Sequence, residues 1–134
     1  GRWPRSRRRL FGLVSGGLVS GEVLQGDVWW ARLDPVEGSE QAKTRPVLVI
    51  SIDQINRAPA DLAIVCPITT TSRPAAVRIE LSGGRGNRIG YVEPYQVRTL
   101  SQSRLERRVA VAPGDVLSEV SARLALFTRP AARA

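Results

Sequence analysis

Only the last part of this chain repeats its apolar residues at helical spacing. Val116, Leu117, Val120, Leu124 and Phe127 recur with a helical period over Asp115 to Phe127, and Pro113-Gly114-Asp115 sets up the start. Everything ahead of that helix is a series of short runs rich in β-branched and aromatic residues, parted by Gly, Pro and polar residues. Strands are expected over Asp27 to Leu33, Pro46 to Ser51, Leu62 to Thr69, Ala76 to Leu81, Ile89 to Glu93, Gln96 to Leu100 and Leu105 to Ala112. Asp53 to Arg57 suits one helical turn, closed by Pro59. Strands and helices do not alternate, which argues against an α/β fold. The fold expected is mainly β: a small, strongly bent antiparallel sheet or barrel of about six to seven strands with a C-terminal α-helix. With 134 residues, one domain with one modest core is expected.

The runs differ in the burial they imply. Pro46 to Ser51 is unbroken aliphatic sequence and reads as buried on both faces. Ala76 to Leu81 alternates Val77, Ile79 and Leu81 with Arg78 and Glu80, so it reads as half-exposed. Trp29 and Trp30 are adjacent on a strand and must face opposite sides. One belongs to the core; the other either packs as well or forms a dimer surface or a base-stacking platform. Cys66 lies in an aliphatic run and reads as a small buried apolar residue.

Composition closes off several chemistries. The single cysteine excludes an internal disulfide and a cysteine zinc site. The chain has no histidine, so acid–base work falls to carboxylates, hydroxyls, Lys or Arg, and no metal site is expected. The glycines of Ser82-Gly83-Gly84-Arg85-Gly86-Asn87-Arg88 do not sit between a strand and a helix, so no nucleotide-binding loop is implied. Net charge is +8, which favours an anionic partner such as nucleic acid. Residues 1–25 hold a basic run, Arg2 to Arg9, and a short apolar stretch too brief to cross a bilayer. They are expected to be a disordered leader, with a folded domain over 26–128 and a tail over 129–134.

The long polar stretch from Asp34 to Pro46 lies between two apolar runs, and a connection of this length is often functional. It ends on Arg45, held extended by the following Pro46. A cation on rigid backbone suits a phosphate, although Asp34, Glu37 or Glu40 are equally available as salt-bridge partners. Thr69-Thr70-Thr71-Ser72 places four hydroxyls in a row, as turn chemistry or as donors to phosphate oxygens.

Several blocks in order carry a family resemblance. Gly26-Asp27-Val28-Trp29-Trp30, Leu33-Asp34-Pro35, Gly38-Ser39-Glu40-Gln41 and Arg45-Pro46-Val47-Leu48-Val49 resemble the opening of MazF/PemK-type toxins. Pro67-Ile68-Thr69-Thr70 is similar to that family's Pro-x-Thr-Ser/Thr strand end. Gln96-Val97-Arg98-Thr99-Leu100, followed by Arg104-Leu105, resembles its Gln-Val/Ile-Arg-Thr-Ile segment. Together the blocks cover roughly residues 22–127.

The resemblance implies an SH3-like barrel, shared with CcdB and Kid toxins, that forms a cytoplasmic homodimer. It implies sequence-specific, metal-independent and cofactor-free cleavage of single-stranded RNA, chiefly mRNA. A MazE-like antitoxin would cover the RNA groove with an acidic segment. Arg45 and Thr69 stand where the family has its central catalytic pair, and the loop of Ser39, Glu40 and Gln41 lies beside them. Many relatives carry an acidic residue where this chain has Tyr95, and some have a His where it has Ser39 or Thr44. An acid–base scheme through those groups does not transfer, which leaves Glu40 or Glu93.

Metal-free RNA cleavage needs a base for the 2′-hydroxyl, a stabiliser for the phosphorane and an acid for the leaving 5′-oxygen. Arg45 suits the second task and Thr69 can fix a non-bridging oxygen. Glu40 is the candidate base, or else a solvated loop charge. Ser39, Gln41, Lys43, Thr44, Thr70, Arg85, Arg88, Tyr95, Gln96 and Arg98 are the candidate RNA contacts. Arg104, Arg107 and Arg108 would extend a backbone-binding stripe. Tyr95 either stacks an unpaired base or fills the sheet. Two other functions share the fold: a CcdB-like gyrase poison acting through the C-terminal helix, and an RNA-binding module without catalysis.

Overall fold

A computed structural model describes residues 21–33, 44–71, 74, 77–82 and 88–133. Strands β1 (Asp27–Arg32) and β2 (Thr44–Val49) are followed by a single helical turn, α1 (Asp53–Asn56). Then come β3 (Leu62–Thr69), β4 (Ile79–Ser82) and β5 (Arg88–Val92). A 3₁₀ turn over Pro94–Gln96 leads to β6 (Arg98–Ser101), and another over Gln102–Arg104 leads to β7 (Leu105–Val111). Helix α2 (Gly114–Phe127) ends the fold.

The strands form one curled antiparallel sheet in the order β4-β5-β3-β2-β1-β7. β3 is its branch point. One edge pairs with β2, and the other pairs first with β6 and then with β5. The result is the bent, mainly β architecture with a C-terminal helix that the alternating runs imply. Pro67 sits mid-sheet without a backbone donor, and its carbonyl accepts from the Glu93 amide at 3.0 Å.

Each face of the sheet carries its own core. Val28, Trp30, Leu48, Cys66, Ile68 and Val92 pack with Val116 and Val120 of α2. Trp29, Ala31, Val47, Val49, Ala63, Val65, Leu100 and Leu105 pack on the opposite face. β2 is therefore buried on both sides, as its aliphatic run implies. The two tryptophans do face opposite ways, and both are buried, so neither is an exposed stacking platform. Cys66 is fully buried, and burial pushes its thiol up to about 12, which leaves it protonated and inert.

Several boundaries differ from expectation. β2 begins at Thr44, so Arg45 lies within the strand, paired across β1 with Ala31. Gln96 belongs to the 3₁₀ turn, because Pro94 starts a turn whose first positions need no backbone donor. β4 begins only at Ile79; it keeps the expected alternation, with Ile79 and Leu81 buried and Glu80 exposed. Along α2 the periodic stripe holds through Leu124, which packs against the core, but Phe127 is exposed.

Asp27 ties the start of the fold together. It is buried, and its Oδ2 accepts from the Leu24 amide at 2.9 Å and from Trp29 Nε1 at 3.2 Å. Arg108 Nη1 stands 3.7 Å from its Oδ1. Gly26, just ahead, has φ +94°, a conformation that disfavours side chains, and a Cβ there would meet Leu117 Cδ1 at 3.1 Å. Its backbone links two strands: Gly26 N donates to Val49 O, and Ala112 N donates to Gly26 O, both at 2.8 Å.

Candidate active site

Register assembles the site. β2 pairs with β3 as Val47 with Pro67, Leu48 with Cys66 and Val49 with Val65. Continuing that register by one pleat sets Arg45 opposite Thr69. Alternation puts Arg45, Val47 and Val49 on one face, together with Val65, Pro67 and Thr69. On the far side of β3, Thr69 pairs with Tyr91, which in turn pairs with Glu80. Glu93 follows on the same face, its backbone bonded to Pro67. Arg98 joins through its pairing with Val65.

The side chains at this end of the sheet are polar where the rest of the face is aliphatic. Arg45 is half-buried, and its Nε is buried with no hydrogen-bond partner among the described residues. Buried donors are nearly always satisfied, so an acceptor beyond the described residues is expected at this guanidinium. The acidic residues named as its salt-bridge partners, Asp34, Glu37 and Glu40, lie outside the described residues. Thr69 is buried, and its Oγ1 accepts from the Thr71 amide at 3.1 Å. That is the turn role open to it from sequence. Because its oxygen accepts there, its own O–H stays available to donate, so turn and phosphate roles coexist.

The remaining candidates divide. Thr44, Gln96 and Tyr95 are exposed, and Thr70 and Arg98 are half-buried. Ser39, Glu40, Gln41, Lys43 and Arg85 lie outside the described residues, as does the side chain of Arg88. Two members of the basic stripe are engaged within the fold. Arg108 turns toward buried Asp27, and Arg104 Nη1 donates to Arg32 O at 3.3 Å.

Two features escape sequence reading. The Arg78 guanidinium stacks 4.5 Å from the centre of the Tyr91 ring, placing a second cation beside the Thr69 register position. Arg78 lies just before β4, and nothing in its neighbours in sequence points to Tyr91. The other is that Glu93 is only 2 % exposed and accepts from Tyr95 Oη at 3.2 Å. Among the described residues, no group of three His, Cys, Asp or Glu side chains converges to hold a metal ion.

Residues 24–128 match the family model described as PemK-like, MazF-like toxin of type II toxin-antitoxin system. The chain belongs to that family. The endoribonuclease PemK of Escherichia coli is 33% identical over 107 residues, which cover 77% of this chain and 80% of that protein. A crystal structure of MazF from Deinococcus radiodurans is 31% identical with a TM-score of 0.66, covering 78% of this chain and 94% of that one. A MazE–MazF crystal structure from the same organism matches at 29% identity and a TM-score of 0.68, over 79% and 95%. The curled sheet with its terminal helix is thus the MazF/PemK fold. No helix among the described residues is long and apolar enough to cross a membrane.

Proposed function

We propose that this MazF/PemK-family chain is an endoribonuclease toxin that cleaves single-stranded RNA, chiefly mRNA, at a short recognised sequence. It acts without a metal ion and leaves 2′,3′-cyclic phosphate and 5′-hydroxyl ends. The observation that carries this reading is the β2–β3 register, which, continued by one pleat, sets Arg45 opposite Thr69, together with a buried Arg45 Nε that has no partner among the described residues. The relatives named for endoribonuclease activity and for a MazE complex support it.

The chemistry follows from those two groups. The 2′-oxygen attacks phosphorus, and the phosphorane gains charge on its non-bridging oxygens. Arg45 presents a planar, permanently charged fork to one of them, and the Thr69 hydroxyl donates to another. Each such donor typically contributes about 10²–10³ in rate, because it acts on charge that develops only in the transition state. Ser39, Gln41, Lys43, Thr44, Thr70, Arg85, Arg88, Tyr95, Gln96 and Arg98 are proposed to hold the strand. The active form is a homodimer, and a MazE-like antitoxin silences it by laying an acidic segment over the same cationic face.

The product ends test this directly. After cleavage of a defined single-stranded RNA, the downstream fragment accepts phosphate from polynucleotide kinase without prior dephosphorylation. The upstream fragment resists 3′-ligation until its cyclic phosphate is removed. Downstream fragments bearing a 5′-phosphate would contradict attack by the 2′-oxygen.

A further inference from the structure

The chain has no histidine, and its one cysteine is buried, so the proton of the attacking 2′-hydroxyl must go elsewhere. Among the described residues, a buried carboxylate and an exposed phenol beside the strand that carries Thr69 offer a route. Glu93 is 2 % exposed, whereas Tyr95, two residues on, is 43 % exposed. The 3₁₀ turn over Pro94–Gln96 folds the phenol back so that Tyr95 Oη donates to Glu93 Oε2 at 3.2 Å. Gln96 N also donates to Glu93 O at 3.1 Å, which closes the turn. The Glu93 amide bonds to Pro67 O, and Pro67 lies two residues from Thr69 on β3. A buried carboxylate, bonded through its backbone to the strand that carries Thr69, is thereby joined to the surface through one phenol.

We propose that Tyr95 is the group that takes the 2′-hydroxyl proton, with Glu93 as the positioning residue that receives the phenol's own proton in the same step. This rests on the ribonuclease reading above. The 2′-oxygen forms its bond to phosphorus while its proton passes to Tyr95 Oη. The proton already on Tyr95 moves along the existing hydrogen bond to Glu93. The P–O5′ bond breaks, and the leaving 5′-oxygen takes a proton from water. After product leaves, Glu93 returns its proton to solvent by the same path. The direction of the hydrogen bond supports this sense, since the phenol already donates to the carboxylate. It also means that no free phenolate is required.

The relay differs from a stacking platform in what it predicts. General-base catalysis typically contributes about 10²–10⁴ in rate, whereas stacking contributes affinity. Single-turnover cleavage at saturating protein, alongside Kd for a 2′-deoxy analogue of the RNA, separates the two. Tyr95→Phe keeps the ring through which Tyr95 is proposed to hold the strand, and is expected to lower the rate about 100-fold or more with Kd unchanged within about twofold. Glu93→Gln is expected to lower it about tenfold or more, again at unchanged Kd. Tyr95 is exposed, so its variant decides the matter even if Glu93→Gln, at a buried position, impairs folding. Tyr95→Phe cleaving within about threefold of wild type, or losing affinity while keeping its rate at saturation, would overturn the relay alone. RNA left intact by the wild type would overturn the relay together with the reading beneath it.

Discussion

Replacing Arg45 by Lys is expected to lower kcat/KM by about 10²–10³ while leaving stability unchanged or slightly raised. The substitution keeps the charge but removes the planar fork, and a single ammonium cannot give two parallel hydrogen bonds to a phosphate. The stability half of the expectation comes from Arg45 Nε, which is buried with no partner among the described residues. Lys puts a methylene there, and removing an unsatisfied donor relieves about 1 kcal/mol. A group kept for binding at the expense of stability shows this combination. An Arg45 that served the fold would show the reverse: lower stability and nearly normal turnover. Urea unfolding and steady-state cleavage of one RNA substrate, on the same preparation, distinguish the two.

Asp27→Ala is expected to destabilise the domain by roughly 3 kcal/mol. The carboxylate is 2 % exposed and accepts two hydrogen bonds, from Leu24 N and Trp29 Nε1. Hydrogen bonds to a charged group contribute about 1.5–3 kcal/mol each, and both donors lose their acceptor at once. Arg108 adds less, since at 3.7 Å and partly exposed it is screened. For a domain of this size, the loss corresponds to a fall in Tm of roughly 12–20 °C. Asp27→Asn, which keeps one acceptor oxygen, is expected to lose about half as much. Thermal unfolding at fixed protein concentration checks both variants. A change below about 0.5 kcal/mol in Asp27→Ala would mean that the surrounding residues satisfy those donors in another way.

How far the sequence discloses these features depends on the range of the interactions behind them. The doubly buried β2, the alternation in β4 and the inert Cys66 are local consequences of apolar patterning, and each is legible in its own segment. Arg45 and Thr69 are individually ordinary: an arginine before a proline and a threonine ahead of a turn. Their opposition depends on the β2–β3 register, which is set by pairings such as Leu48 with Cys66 across the α1 connection. Family resemblance picks out the pair, and the register is what would let the two residues act together, as proposed. Tyr95 and Glu93 are two apart, and in a strand they would share a face. The turn begun at Pro94 instead leaves one exposed and the other buried, with a hydrogen bond between them.

Tertiary contacts override the sequence pattern in other places. Arg108 looks like surface charge on a basic strand, but it turns toward Asp27, a partner far away in sequence. Phe127 continues the helical period of α2 yet is exposed, so periodicity there no longer means burial. Arg78 reaches Tyr91 through a cation–π contact for which sequence has no marker.

The central claim is that Arg45 organises metal-independent cleavage of RNA, and the most direct test is a single gel. Purified protein, free of antitoxin, is incubated with a long single-stranded RNA in excess EDTA beside its Arg45→Ala variant. The expected result is a set of discrete fragments from the wild type and intact RNA from the variant. Intact RNA in both lanes with folded protein, or equal fragmentation in both, would contradict the account.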